Sequence, residues 1–342
     1  MKRPRFLPDN FTLALISTVI VASFIPARGA GMDIFNVLTT IAIALLFFLH
    51  GAKLSRDAII AGATHWRLHL LVFACSFLVF PLLGLVLKPV LAPLVTPDLY
   101  LGVLFLCTLP STVQSSIAFT SIARGNVPAA VCSASASSLI GIVLTPLLAG
   151  LIVVRHGSTG GSSLGSIGDI VMQLLVPFLA GQFARRWIGA WVDDRKAMLK
   201  LVDQSSILLV VYVAFSEAVD QGLWQHTPPL ALGGILIVDA VLLALALATT
   251  TFASRRLGFS KEDEITIVFC GSKKSLASGV PMAKVLFAGH AVGAIVLPLM
   301  LFHQIQLMTC AVLARRFATR PRPGVLAEAV SAEEERTLVG VR

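Results

Sequence analysis

Charge is what this 342-residue chain has least of: Asp, Glu, Lys and Arg make up 13% of it, against 56% hydrophobic residues. Soluble domains carry about a quarter charged residues. So few charges cannot clothe a water-facing surface, which excludes an ordinary soluble domain and turns most of the exterior toward lipid. Paired cysteines are missing too. Cys75, Cys107, Cys132, Cys270 and Cys310 all lie in or beside apolar runs, with no Cys-x-x-Cys spacing. They read as small packing residues, with no disulfide or metal site expected. There is no His-Glu-x-x-His, no Gly-x-Gly-x-x-Gly opening a helix, no Walker A loop and no Gly-x-Ser-x-Gly. Without a catalytic set, no enzyme is expected. The net charge of +9 is carried in short clusters between apolar runs. That placement fits membrane loops and argues against nucleic acid as a partner.

What is there is a series of ten apolar runs, near residues 11–27, 33–52, 68–93, 98–122, 127–154, 168–189, 201–219, 229–253, 264–287 and 290–314. A bilayer crossing needs about 20 apolar residues, so each run is expected to span. The first follows a charged Met1–Arg5 start but no small-residue cleavage site, and reads as a retained helix. With the N-terminus cytoplasmic, 21 of the 27 Lys and Arg fall inside, 4 outside and 2 within a span. Such asymmetry places both termini inside. The expected organisation is a first five-helix repeat over 1–154, a Gly/Ser-rich linker over 155–167, a second repeat over 168–318 and a disordered cytoplasmic tail over 319–342. A five-span unit enters the membrane inverted on its second pass, the usual architecture of secondary transporters.

Two spans in corresponding positions are not uniformly apolar. The fourth reads Thr108-Leu109-Pro110-Ser111-Thr112-Val113-Gln114-Ser115-Ser116, the ninth Phe269-Cys270-Gly271-Ser272-Lys273-Lys274-Ser275-Leu276. Pro110 removes a backbone donor and Gly271 weakens its helix, so breaks are expected at both. Freed backbone groups at membrane depth are tolerated where they are buried in protein or line a cavity, and paired breaks point to a transport site. The alternative for Pro110 alone is a structural kink.

Lys273 and Lys274 carry the most information. A lysine at mid-bilayer costs about 2.5–3.5 kcal/mol on insertion scales. Either they sit at a site, or the span starts later and both reach an interface. Asp239, within the eighth run, is the one carboxylate well inside an apolar stretch, and is a candidate ion-pair partner or proton site for these lysines. Ser133, Ser135, Ser137 and Ser138 in the fifth run either pack helices closely or line the site beside the fourth. The candidate substrate- and ion-binding set is Thr112, Gln114, Ser115, Ser116, Ser133, Ser135, Ser272, Lys273, Lys274 and Ser275, with helix breaks at Pro110 and Gly271.

These stretches, with Gly279-Val280-Pro281-Met282, Phe287-Ala288-Gly289-His290, Ala123-Arg124-Gly125-Asn126 and Val176–Gln182, resemble the bile acid:sodium symporter superfamily. Within it they resemble the subgroup of bacterial homologues and the seventh member of human solute-carrier family 10. The resemblance implies an all-α, ten-helix fold. It also implies a panel of spans 1, 2, 6 and 7, a core of spans 3–5 and 8–10, and broken helices 4 and 9 that cross. Sodium-coupled members hold the ion with oxygen ligands around that crossing. Carried onto this chain, the ninth-helix glutamate falls at Phe269, the glutamine after it near Lys273, and the third-helix glutamine near Ser76. The fourth-helix Ser-Asn pair falls at Ser115 and Ser116, and the fifth-helix hydroxyls at Ser133 and Ser135. No carboxylate remains at the crossing and a lysine has arrived there, so Lys273 or Lys274 is expected to replace bound sodium as a tethered cation.

The leading expectation is a secondary transporter of a small organic anion in a bacterial inner membrane, its partners the lipid bilayer and that anion. It has no cofactor, with Na+ or H+ as the coupling ion. The second is a non-transporting regulator or scaffold of membrane ion or lipid homeostasis.

Overall fold

The computed structural model describes residues 10–53, 65–152, 164–288 and 291–319, without the side chains of 152, 164–171 and His226. Among these residues every regular element is helical. We number the main helices α1 (Asn10–Phe24), α2 (Ala30–Lys53), α3 (Trp66–Val86), α4 (Pro97–Thr108), α5 (Val113–Ile122) and α6 (Val127–Ile152). They continue as α7 (Leu164–Asp194), α8 (Lys196–Asp220), α9 (Pro229–Arg256), α10 (Lys261–Gly271), α11 (Leu276–Leu286) and α12 (Val292–Ala318).

Six of them, α2, α3, α6, α8, α9 and α12, are long and apolar enough to cross a bilayer, and α4 with α5 forms a seventh, bent by 64°. Large side chains such as Phe24, Val86 and Leu230 lie exposed on the outside, where only lipid can take them. The chain is an integral membrane protein. Two of the ten expected runs fall short of the same measure: helix α1 has 15 residues, and the ninth run is cut into halves of 11 residues. Helix α7 runs over 31 residues, and the side chains of its first turns lie outside those described. The linker expected over 155–167 is helical from Leu164 onward, and its earlier part, like His290 and the tail from 320, lies outside the described residues.

Helix α2 lies along α7 and α8, and α8 along α1. The α2–α7 contact is set by two reciprocal glycines. A Cβ on Gly51 would stand 2.0 Å from the Phe178 carbonyl oxygen, and one on Gly181 would stand 1.9 Å from that of Phe48. Backbones can meet this closely only without side chains. Helix α12 packs on α4, α8, α9 and α11.

In α3 the residues Cys75–Val79 widen into a π turn. The Phe80 N–H bonds the Cys75 carbonyl rather than that of Ser76. The next residue is Pro81, which has no N–H to give. The Ser76 carbonyl therefore loses its helical donor.

The Ala123-Arg124-Gly125-Asn126 corner ties α5 and α6 to α10. Arg124 turns the chain with a φ of 63°. Asn126 then donates from its backbone to Glu262 (3.1 Å) and from its side chain to Asp263 (2.9 Å), and accepts from the Ala129 N–H (3.1 Å). Its carbonyl takes the Thr266 hydroxyl at 3.1 Å.

Candidate functional site

Both expected breaks are present. Helix α4 stops at Thr108 and α5 starts at Val113, while α10 stops at Gly271 and α11 starts at Leu276. Gly271 is still helical, so it is not itself the break. Its missing side chain makes room for Thr250 and Cys75, 3.0 and 3.3 Å from where a Cβ would stand. The break starts one residue later, at Ser272, and within it Gln306 of α12 fastens both backbone groups of Lys274. It accepts from the Lys274 N–H and donates to its carbonyl, each at 2.9 Å.

The two breaks touch. The Ser275 N–H donates to the Pro110 carbonyl (2.9 Å), and the Ser116 hydroxyl donates to the Phe269 carbonyl (3.0 Å). Other freed groups are met from α6: Ser137 accepts from the Ser111 N–H (3.1 Å), and Thr145 donates to the Thr108 carbonyl (2.9 Å). These partners are what a buried broken helix needs, since each unmet backbone group costs about as much as a lost hydrogen bond.

Lys274 sits at the centre with no exposure. Its ammonium donates to three backbone carbonyls: Ser76 at 2.7 Å, Cys107 at 2.9 Å and Leu109 at 2.7 Å. The Phe80 ring lies 4.2 Å from Nζ. An ammonium has three N–H donors, and all three are used. The carbonyls come from the π turn of α3 and from the end of α4, the places where the helical ladder leaves acceptors free. Three convergent carbonyl oxygens thus surround one buried ammonium, and oxygen donors of this kind are also what hard cations take as ligands.

Lys273, equally buried, is met differently. Among the described residues its one hydrogen-bond acceptor is the Ser115 hydroxyl, at 2.9 Å. The Phe119 ring lies 4.2 Å from its Nζ. The two lysines thus point apart from the non-helical break between α10 and α11, one into the α3–α4 cage and one toward α5.

Of the other predicted residues, Thr112 and Ser116 are buried and Ser115 half-buried, linked through Ser115 to Thr112 (3.0 Å) and Thr112 to Ser116 (3.3 Å). Ser272 is buried and bonds back to the Val268 carbonyl (2.6 Å), while Ser275 accepts from the Ser278 N–H as the cap of α11 (3.2 Å). Gln114 is exposed on α5. Ser133 pairs with His69 of α3 (2.6 Å), and Ser135 is half-buried.

Asp239 forms no ion pair with either lysine: it is fully buried, and among the described residues both its carboxyl oxygens lack a hydrogen-bond partner. The carbonyl cage uses up the Lys274 donors, so the pairing expected from sequence does not form. Thr145, Gln306 and the Ser76 carbonyl were not singled out as site groups, whereas Ser137 was among the fifth-run serines that could line the site. Gln306 had a signal, an amide inside an apolar run. The carbonyls had none beyond Pro81 and Pro110, because backbone groups are invisible in a residue pattern.

A family model described as the SBF-like CPA transporter family matches residues 9–319. An uncharacterized protein of Pseudomonas aeruginosa is 70% identical, over 97% of this chain and 100% of its own length. The symporter candidate YfeH of Escherichia coli is 59% identical, over 93% of this chain and 95% of its own. Sodium/bile acid cotransporter 7 of Rattus norvegicus is 30% identical, over 80% of this chain and 81% of its own. The chain belongs to the SBF-like CPA transporter family, within the bile acid:sodium symporter superfamily.

Proposed function

We propose that this transporter carries a small organic anion by alternating access, and that Lys274 takes the place of a coupling sodium ion. In this reading ten spans cross a bacterial inner membrane with both termini cytoplasmic. Residues 1–154 and 168–318 form inverted five-helix repeats. The panel is α1, α2, α7 and α8, and the core is α3–α6 with α9–α12. The observation that carries the reading is the Lys274 ammonium held by the carbonyls of Ser76, Cys107 and Leu109 where the two helix breaks touch.

The preference for an anion rests on charge. The N-terminal ends of α5 and α11 both start at the crossing, and helix N-termini favour negative charge. Lys273 adds a cation whose donors are only partly used. It and the hydroxyls of Thr112 and Ser115 are the groups best placed to take an anionic headgroup.

Counterflow in proteoliposomes tests this, with a set of organic anions and with sodium exchanged for choline. We expect counterflow of an anion at equal rates in the two media. Uptake that requires a sodium gradient would contradict the tethered cation. Absence of counterflow for every anion would favour a non-transporting regulator.

A further inference from the structure

Away from the crossing, at the end of the bundle opposite Lys53 and Asp203, a cavity of about 540 Å³ opens between two sets of helices. One wall is α2, α7 and α8, with Asn36, Thr39, Gln173, Glu217 and Gln221; the other is α11 and α12, with Lys284 and Val292. Its size falls in the range of small-molecule sites, roughly 300–1,000 Å³.

Two features point to a ligand. The Lys284 ammonium forms an ion pair with Glu217 across the cavity, joining α11 to α8, with both side chains mostly shielded. And Thr39, 1% exposed, has a hydroxyl with no hydrogen-bond partner among the described residues. A buried hydroxyl left without a partner costs about 1–3 kcal/mol, a cost that a polar group entering the cavity would offset.

We propose that this cavity binds a small, hydroxylated organic carboxylate, with Lys284 as its counter-charge. Glu217 is the stand-in that holds Lys284 until the ligand's carboxylate replaces it. The exchange swaps one carboxylate for another on the same ammonium, so the Lys284 hydrogen bonds are kept in kind. Asn36, Thr39, Gln173 and Gln221 supply amides and hydroxyls for the ligand's own hydroxyls, a lining that suits a sugar-acid-like anion better than an apolar one. Because the ion pair joins α8 to α11, the same exchange uncouples the two sets of helices. The proposal rests on the anion-transport reading for its biological sense, but its test does not.

The probe is gluconate, read by its protection of an introduced cysteine. The five native cysteines are buried, so an Asn36→Cys variant offers a distinct thiol to a water-soluble methanethiosulfonate reagent. We expect gluconate to slow its modification. We expect Glu217→Gln, which frees Lys284, to lower the half-protecting concentration by about tenfold. Lys284→Gln abolishes protection and Lys284→Arg retains it. Protection unchanged by Lys284→Gln, or none by gluconate in the Glu217→Gln chain, would overturn the proposal. Gln221→Cys gives the same readout should Asn36→Cys fail to fold. Counterflow in the same vesicles is read separately, so a protected but inert chain keeps this site and sinks the transport reading.

Discussion

Lys273 and Lys274 are neighbours in the chain and equally buried, yet their charges are met in opposite ways. Lys274 spends three donors on three carbonyls, while Lys273 reaches one hydroxyl and a ring. Lys274→Met should therefore cost far more stability than Lys273→Met. It orphans three buried carbonyls, each worth roughly 1–3 kcal/mol, where the other orphans a single hydroxyl. Melting curves of the detergent-solubilised variants read the difference, and equal losses would contradict the assignment. Lys273→Met should keep most of its stability and lose uptake. Asp239 presents the reverse case, two buried oxygens without a partner. Asp239→Leu should raise the melting temperature, since it removes a desolvation cost of about 1–3 kcal/mol. If the carboxyl serves coupling, uptake falls at the same time; a stabilised variant with full uptake would remove Asp239 from the mechanism. The sequence marked all three residues as costly, because a charge inside an apolar run is visible there. It could not tell which lysine was saturated, because the partners of Lys274 are main-chain oxygens from 165 to 198 residues away.

At the scale of elements, the breaks in the fourth and ninth spans were legible from Pro110 and from the polar run after Gly271. The π turn in α3 was not, since Cys75–Val79 reads as an unremarkable apolar stretch. Two joints hold these elements in register. Asn126 caps the start of α6 and reaches Glu262 and Asp263 before α10 crosses. Asn126→Ala should cost about 0.5–2 kcal/mol, as lost helix caps do, and thermal unfolding measures it. The α2–α7 crossing should be less forgiving. Gly181→Ala places a methyl 1.9 Å from the Phe48 carbonyl, so the helices must separate. We expect a lowered melting temperature and poor recovery of folded protein, whereas Gly233→Ala, which meets nothing within 4 Å, should be silent.

For the whole molecule, composition and charge placement were enough to fix a membrane protein, and the sequence motifs pointed to its superfamily. The span count was less legible than the repeat pattern promised, because α1 is short and the ninth run is split and acidic at its start. Burial, charge and backbone geometry support the proposal for the meeting of the two breaks, that Lys274 takes the place of a coupling cation. That account makes a direct demand on one variant. Lys274→Ala removes the ammonium and leaves a cavity faced by three carbonyl oxygens. The carbonyls are positioned by α3 and α4, not by the lysine. Anion counterflow by wild type should be indifferent to sodium. Counterflow by Lys274→Ala should be lost in choline medium and restored, with the melting temperature, by sodium or methylammonium. A sodium requirement in the wild type, or a Lys274→Ala chain that folds and stays inert with every small cation, would contradict it.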